Sequence, residues 1–215
     1  MLELVSLHIP ETGGASLQQI LRRKYGRRLR LRHPAPSSPW HRQVRSQLKS
    51  VIRDAATFPG PRAIHGHFAA SDYANNAVEM ITFIRDPVEQ RISTYHYHRR
   101  QHSEFGAVAN DEARRALGMD LENFVKYKEP IYSLFIDIPL DRFSFIGLME
   151  NYSEDVQKLC ERLGVEYIPV RTNSNPSGSD YQISGEWRRN YESANSREME
   201  IYESALRRRK ELGIE

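Results

Sequence analysis

The chain has one cysteine, Cys160, in 215 residues, so it cannot close an internal disulfide or build a multi-cysteine zinc site. Core packing accounts for that thiol, and a reducing cytoplasm is the expected location. No apolar run approaches the roughly 20 residues of a spanning helix, which leaves no predicted membrane span. The first eight residues carry Glu3 where a signal peptide would carry positive charge, and they read as a strand. Lysine is scarce: the 31 basic residues comprise 25 arginines and only 6 lysines, for a net charge of +3. Internal repeats and low-complexity tracts are absent too. At 39% hydrophobic and 27% charged, the chain is predicted to form one globular domain over 1–215, with a flexible acceptor-side insertion around 101–140.

The arginines cluster. Arg22, Arg23, Lys24, Arg27, Arg28, Arg30 and Arg32 fall within eleven residues, and Arg207, Arg208, Arg209 and Lys210 follow one another. Guanidinium forks suit phosphate, sulfate and carboxylate, so both stretches are candidate anion surfaces; a solvated basic face is the simpler account. Nucleic acid is not the expected partner, because no regular interleaving of aromatic side chains accompanies them.

Apolar strands alternate with amphipathic helices. The apolar run Leu2 to Leu7 leads through a tight loop into Leu17, Ile20 and Leu21 at helical spacing. Pro34 to Pro39 mark a loop, and Val44, Leu48, Val51 and Ile52 a helix. Strands are predicted at Ala63 to Phe68, Met80 to Ile84, Phe143 to Leu148 and Val165 to Val170, with helices from Pro87 past Tyr97, over Leu121 to Tyr127, through Val156 to Leu163 and over Ser196 to Leu212. The polar stretch Gln101 to Gly118 reads as loop, and His96, His98 and His102 as a solvated helix face rather than a metal patch. This alternation predicts a three-layer α/β domain, a central parallel sheet flanked by helices, with ligands at the strands' C-terminal ends.

Two strand-to-helix junctions carry the chemistry. The first reads His8-Ile9-Pro10-Glu11-Thr12-Gly13-Gly14-Ala15-Ser16, two glycines and two hydroxyls at a helix start. Such a turn can cradle a phosphate on backbone N–H groups, or simply cap the helix through Ser16. The second, Arg85-Asp86-Pro87 with Arg91 and Ser93 beyond it, offers a guanidinium and a hydroxyl to another phosphate; alternatively Arg85 pairs with Asp86 or Glu89. Two anion sites on one edge suggest a nucleotide charged at both ends. A Gly-Lys-Ser/Thr ending is missing from the first loop, which argues against a kinase of the P-loop type. His65 and His67 in Ile64-His65-Gly66-His67-Phe68 are candidate bases, since an imidazole titrates near neutrality.

These segments resemble the 3′-phosphoadenosine-5′-phosphosulfate (PAPS)-dependent sulfotransferases, particularly the branch of heparan-sulfate 2-O-sulfotransferases and related bacterial carbohydrate enzymes. The resemblance implies a P-loop nucleotide-hydrolase-like sulfotransferase fold, PAPS as co-substrate, adenosine 3′,5′-bisphosphate (PAP) as product, no required metal, and a small-molecule or carbohydrate hydroxyl as acceptor. It implies that Thr12, Gly13, Gly14, Ala15 and Ser16 hold the 5′-phosphosulfate and that Arg85 and Ser93 hold the 3′-phosphate. His67 would be the base, with His65 in reserve, and the Asn173-Ser174-Asn175 segment would fold over the nucleotide. Phe145 to Glu150 looks like a later strand of the family. One residue departs from the pattern: Glu11 stands where the family has lysine. A charge reversal about 4 Å from an anion, at an effective dielectric near 20, costs roughly 4 kcal/mol per unit. An arginine from elsewhere could supply the charge, Glu11 could turn away, or the chain could be a PAPS- and PAP-binding module impaired in transfer.

Overall fold

The computed structural model describes residues 1–32, 60–74, 77–106, 108, 110–126, 130–169 and 183–214. The predicted helix through Val44 to Ile52 and the Asn173-Ser174-Asn175 segment lie outside them.

Five strands form one sheet among the described residues: β1 (Leu4–Leu7), β2 (Leu29–Arg32), β3 (Ala63–Gly66), β4 (Glu79–Ile84) and β5 (Phe143–Leu148). Their order is β2-β3-β1-β4-β5, and every pairing is parallel. Parallel strands need covering on both faces, which explains why the central ones are buried and mostly apolar. Helix α1 (Gly14–Tyr25) brings Leu17, Ile20 and Leu21 onto one face, where Leu4, Ile81, Phe83 and Phe145 meet them. Helix α6 (Tyr152–Leu163) joins this layer through Val156, Leu159 and Cys160, and ends at Gly164 in a left-handed cap.

Val5, Leu7, Met80, Ile84 and Ile146 point the other way, toward the short helix α5 (Tyr132–Phe135) and helix α8 (Ser196–Glu211). Alternation along β5 is interrupted by a bulge: Met80 pairs with Phe143 but Ile81 with Phe145, leaving Ser144 as the extra residue. Phe143 and Ile146 thereby share one face. The architecture is thus a three-layer α/β arrangement, a parallel sheet between two helical layers. Beside it, α2 (Pro87–Phe105), α3 (Asp111–Gly118), α4 (Leu121–Lys126) and α7 (Gly185–Ala194) enclose a smaller core around Ile92, Tyr95, Phe124, Trp187 and Tyr191.

Some expectations fail. Residues 165–169 have no regular structure, so no strand forms there, whereas the arginine-rich Leu29–Arg32 is the strand β2. Most of the polar stretch Gln101 to Gly118 is helical, as the end of α2 and all of α3. Its polarity covers a buried ion pair, Arg91 with Glu112, over which Arg91 also lies 4.1 Å from the Phe124 ring centre. His98 does not belong to a solvated face: it is 8% exposed, with Nε2 3.5 Å from Glu112.

Candidate active site

The sheet order brings the two motifs together. β1 lies between β3 and β4, so the loops that leave β3, β1 and β4 emerge side by side at one rim. They carry, in spatial order, His67, residues 8–13 and Arg85. This is where the connections diverge to either side of β1, the place where open parallel sheets hold ligands.

The first loop is tethered internally. Thr12 donates its hydroxyl to the Ile9 carbonyl at 2.8 Å, and Gln90 of α2 donates to the Pro10 carbonyl at 3.2 Å. Gly13, not Ser16, stands at the helix N-cap, in the left-handed conformation with φ 75°, and no side chain caps the helix. The opening N–H groups of α1 therefore lie at the rim, beside exposed Ala15. Ser16 is buried in the first turn and hydrogen-bonds to Tyr152, whose hydroxyl donates to the Gly13 carbonyl at 3.1 Å.

Both glycines answer to side-chain packing. A Cβ on Gly13 would fall 2.5 Å from the Tyr152 ring, and one on Gly14 would fall 1.9 Å from Nε2 of His8. His8 is the centre of a stack of three imidazoles, 5.2 Å from the His65 ring and 4.2 Å from that of His67.

The outer two members of the stack differ. His65 is fully buried; Nε2 lies 3.2 Å from the Gly14 carbonyl and must donate to it, while Nδ1 lies 2.9 Å from the Ser6 hydroxyl. Both nitrogens thus tie β3 to β1 and α1. His67 is half-buried, and its Nδ1 lies 2.6 Å from the His8 carbonyl. A carbonyl only accepts, so Nδ1 carries the proton and the basic lone pair of the neutral ring sits on Nε2. Phe135 of α5 meets the ring edge-on at 6.1 Å.

At the end of β4, Tyr132 brackets the Arg85 backbone: its hydroxyl donates to the Arg85 carbonyl at 2.5 Å and accepts from the Arg85 N–H at 3.0 Å. The Arg85 guanidinium reaches Glu89 at 4.0 Å with a quarter of its side chain exposed. Asp86 caps α2 by accepting from Val88 and Glu89, and it pairs with Arg188 of α7 rather than with Arg85.

Glu11 joins the two motifs. Its carboxylate accepts a 2.8 Å hydrogen bond from Ser93, one of the residues expected to hold the 3′-phosphate. Burial pushes its pKa up, against the opposing pull of Ser93, Arg85, His98 and Arg100. Glu11 is also the non-glycine residue with positive φ among the described residues, at 62°. An acid in this position neither turns away nor contacts an arginine closely enough to form a salt bridge among the described residues.

Sequence reasoning missed Tyr132, Tyr152, Arg188 and the part played by His8. Each acts through a partner far along the chain, for which no local pattern exists. His8 alone had a signal, since its spacing from β1 places it level with the residue after β3.

Among the described residues, no group of three or more His, Cys, Asp or Glu is arranged to hold a metal ion, and no helix is long and apolar enough to cross a membrane. A shallow concavity lined by Gly118, Met119, Asp120, Asn123 and Lys126 shares no residue with the rim.

No family model matches the chain. It is similar to an uncharacterized protein of Archaeoglobus fulgidus, 30% identical over 95 residues, which span 43% of this chain and 73% of that protein. Among solved structures it is similar to a sulfotransferase from Alicyclobacillus acidocaldarius, with 15% identity, 96% of each chain covered and a TM-score of 0.46. It is also similar to mouse sulfotransferase SULT7A1 complexed with PAP, with 14% identity and a TM-score of 0.44. That match covers 92% of this chain but 65% of the mouse protein. An uncharacterized protein from Eubacterium ventriosum matches at 10% identity, over 75% of this chain and 98% of its own, with a TM-score of 0.39.

Proposed function

We propose that this chain is a sulfotransferase that moves the sulfuryl group of PAPS to an acceptor hydroxyl, with carbohydrates among the candidate acceptors. The observation that carries this reading is the adjacency of the two motif loops at the ends of β1 and β4, bridged by Glu11 and Ser93, with His67 on the far side of the same loop. Backbone N–H groups at the start of α1, from Gly14 to Ser16, would receive the 5′-phosphosulfate, with Thr12 and Gly13 shaping the turn. Arg85 and Ser93 would grip the 3′-phosphate, the guanidinium through paired hydrogen bonds.

The acceptor oxygen attacks sulfur while its proton passes to Nε2 of His67. The bond from sulfur to the bridging oxygen of the 5′-phosphate breaks, and its electron pair leaves with PAP. His67 suits the base because its Nδ1 proton is already committed to the His8 carbonyl; His65, with both nitrogens engaged in the fold, serves as scaffold. Catalysis in such a site is mainly positioning and charge stabilisation.

A second reading, a PAPS- and PAP-binding module without turnover, is favoured by Glu11, which places negative charge where the donor's charge would sit. Calorimetric titration with PAP, PAPS and ATP, followed by transfer of radiolabelled sulfate to a panel of sugars and phenols, tests both. Arg85→Ala is expected to weaken PAP binding at least tenfold, the scale of a lost charge-assisted contact of about 1.5–3 kcal/mol; undiminished binding would remove Arg85 from the site. Binding without transfer in the native chain, with transfer gained in Glu11→Lys, would establish the module instead of the enzyme.

A further inference from the structure

Glu11 and Ser93 share one hydrogen bond at the place where an anion is to be received, and the backbone on both sides of Glu11 is tethered. Pro10, on one side of Glu11, is held by Gln90; Thr12, on the other, is held to the Ile9 carbonyl. The backbone between them is fixed in a left-handed conformation at φ 62°, which a glutamate adopts at a cost and which directs its side chain across to α2. A dianionic phosphate brought onto Ser93 meets this carboxylate at hydrogen-bonding range, and two ionised acids cannot share one hydroxyl donor without a proton between them.

Resting on the reading of Ser93 as an anion anchor, we propose that Glu11 is a proton-coupled element of the nucleotide site: PAP binds together with a proton taken up by the Glu11 carboxyl group, which then donates a hydrogen bond to the ligand. An acid thus performs, when neutral, the donor's part that a cation would perform at the same position. The protein sets this up before the ligand arrives, because burial already raises the pKa of Glu11 above that of an ordinary glutamate. The charged and titratable groups that face it are Arg85 from the end of β4 and Tyr97, His98 and Arg100 from α2. Arg85, His98 and Arg100 pull toward the ionised form against the larger effect of burial.

The consequence is a site whose affinity for PAP tightens as pH falls, by up to about tenfold per pH unit where Glu11 is ionised in the empty protein. Calorimetry of PAP binding in buffers of different ionisation enthalpy, from about pH 5.5 to about pH 8, counts the protons. The expected result is an uptake approaching about one proton per PAP that is absent in Glu11→Gln. The same subtraction removes the contributions of His98 and of the ligand's own phosphate, which titrates near pH 6. Glu11→Gln keeps an acceptor for Ser93 and is expected to bind PAP more tightly than the native chain at neutral pH. PAP binding with no difference in proton uptake between the native chain and Glu11→Gln would overturn the inference while leaving the nucleotide reading in place. Failure of both proteins to bind PAP at any pH would overturn the nucleotide reading and this inference with it.

Discussion

At the scale of single residues, the first loop is governed by what lies against it. Glycine at positions 13 and 14 looks from sequence like room for a phosphate, yet the space that a Cβ would take is already occupied by the Tyr152 ring and the His8 imidazole. By admitting those rings the two glycines leave the start of α1 at the rim. Gly14→Ala is therefore expected to destabilise the chain by about 1–3 kcal/mol, the range for forcing an extra methyl into packed surroundings. His8→Ala in the same chain should recover part of that loss. Urea midpoints of the two single variants and the double variant measure the coupling. Additive losses would show that the His8 ring is not what excludes a side chain at position 14.

At the scale of elements, the four-residue helix α5 organises the rim. Glu198 of α8 holds its start: one carboxylate oxygen accepts from the N–H groups of Ile131 and Tyr132 at 2.9 and 2.5 Å, the other from the N–H and hydroxyl of Ser133 at 3.1 and 2.6 Å. From that clamp, Tyr132 reaches Arg85 and Phe135 reaches His67, so one turn of helix contacts both the proposed phosphate anchor and the proposed base. Tyr132→Phe keeps the ring and removes the hydroxyl that brackets Arg85. PAP affinity is expected to fall about 3- to 10-fold, the worth of one hydrogen bond at about 0.5–1.5 kcal/mol, while the His67 imidazole, followed by proton NMR, titrates as in the native chain. A shift of that titration with unchanged PAP affinity would reverse the assignment of Tyr132 to the Arg85 side.

How far such elements could be read in advance depends on the range of the forces that make them. β1, β4 and β5 were legible because a strand buried on both faces is apolar along most of its length, and α1 and α6 because their apolar stripes repeat at helical spacing. β2 was hidden by its arginines, although Leu29 and Leu31 alternate with Arg30 and Arg32 in the period of an edge strand with one side toward solvent. Residues 165–169 carry a strand's composition but find no partner in the sheet, and β propensity without a neighbouring ladder does not suffice. The Thr12 to Ser16 turn and the Arg85 motif were legible as strand-to-helix junctions. The Glu11–Ser93 contact was not legible, because it joins positions 82 residues apart.

At the scale of the whole molecule, the question is whether the sheet with its two helical layers and the smaller core around Trp187 behave as one body. One polar link joins the two, and two more hold the layers of the sheet together. Arg188 of α7 pairs with Asp86 at the end of β4; Glu198, at the start of α8, holds α5; and Asp155 of α6 accepts from the Leu148 N–H at 2.7 Å while pairing with Arg209 of α8 at 2.6 and 3.1 Å. Arg209 also donates to the Ile146 carbonyl at 2.8 Å, so one buried ion pair fastens β5, α6 and α8 together. Asp155 and Arg209 are 0% and 4% exposed, which makes removal of one partner expensive: the other charge stays buried without its counter-ion. Asp155→Ala is expected to cost about 3–5 kcal/mol. In a Trp40→Phe background, Trp187 is the sole tryptophan and reports on the smaller core, while far-UV circular dichroism reports on all the helices. If residues 1–215 form a single folding unit, the urea transitions seen by the two probes coincide, and Asp155→Ala moves both midpoints equally although Asp155 lies outside the Trp187 cluster. A Trp187 transition that stays in place while the circular dichroism transition moves would divide the chain into two units, with the Arg85 loop at their boundary.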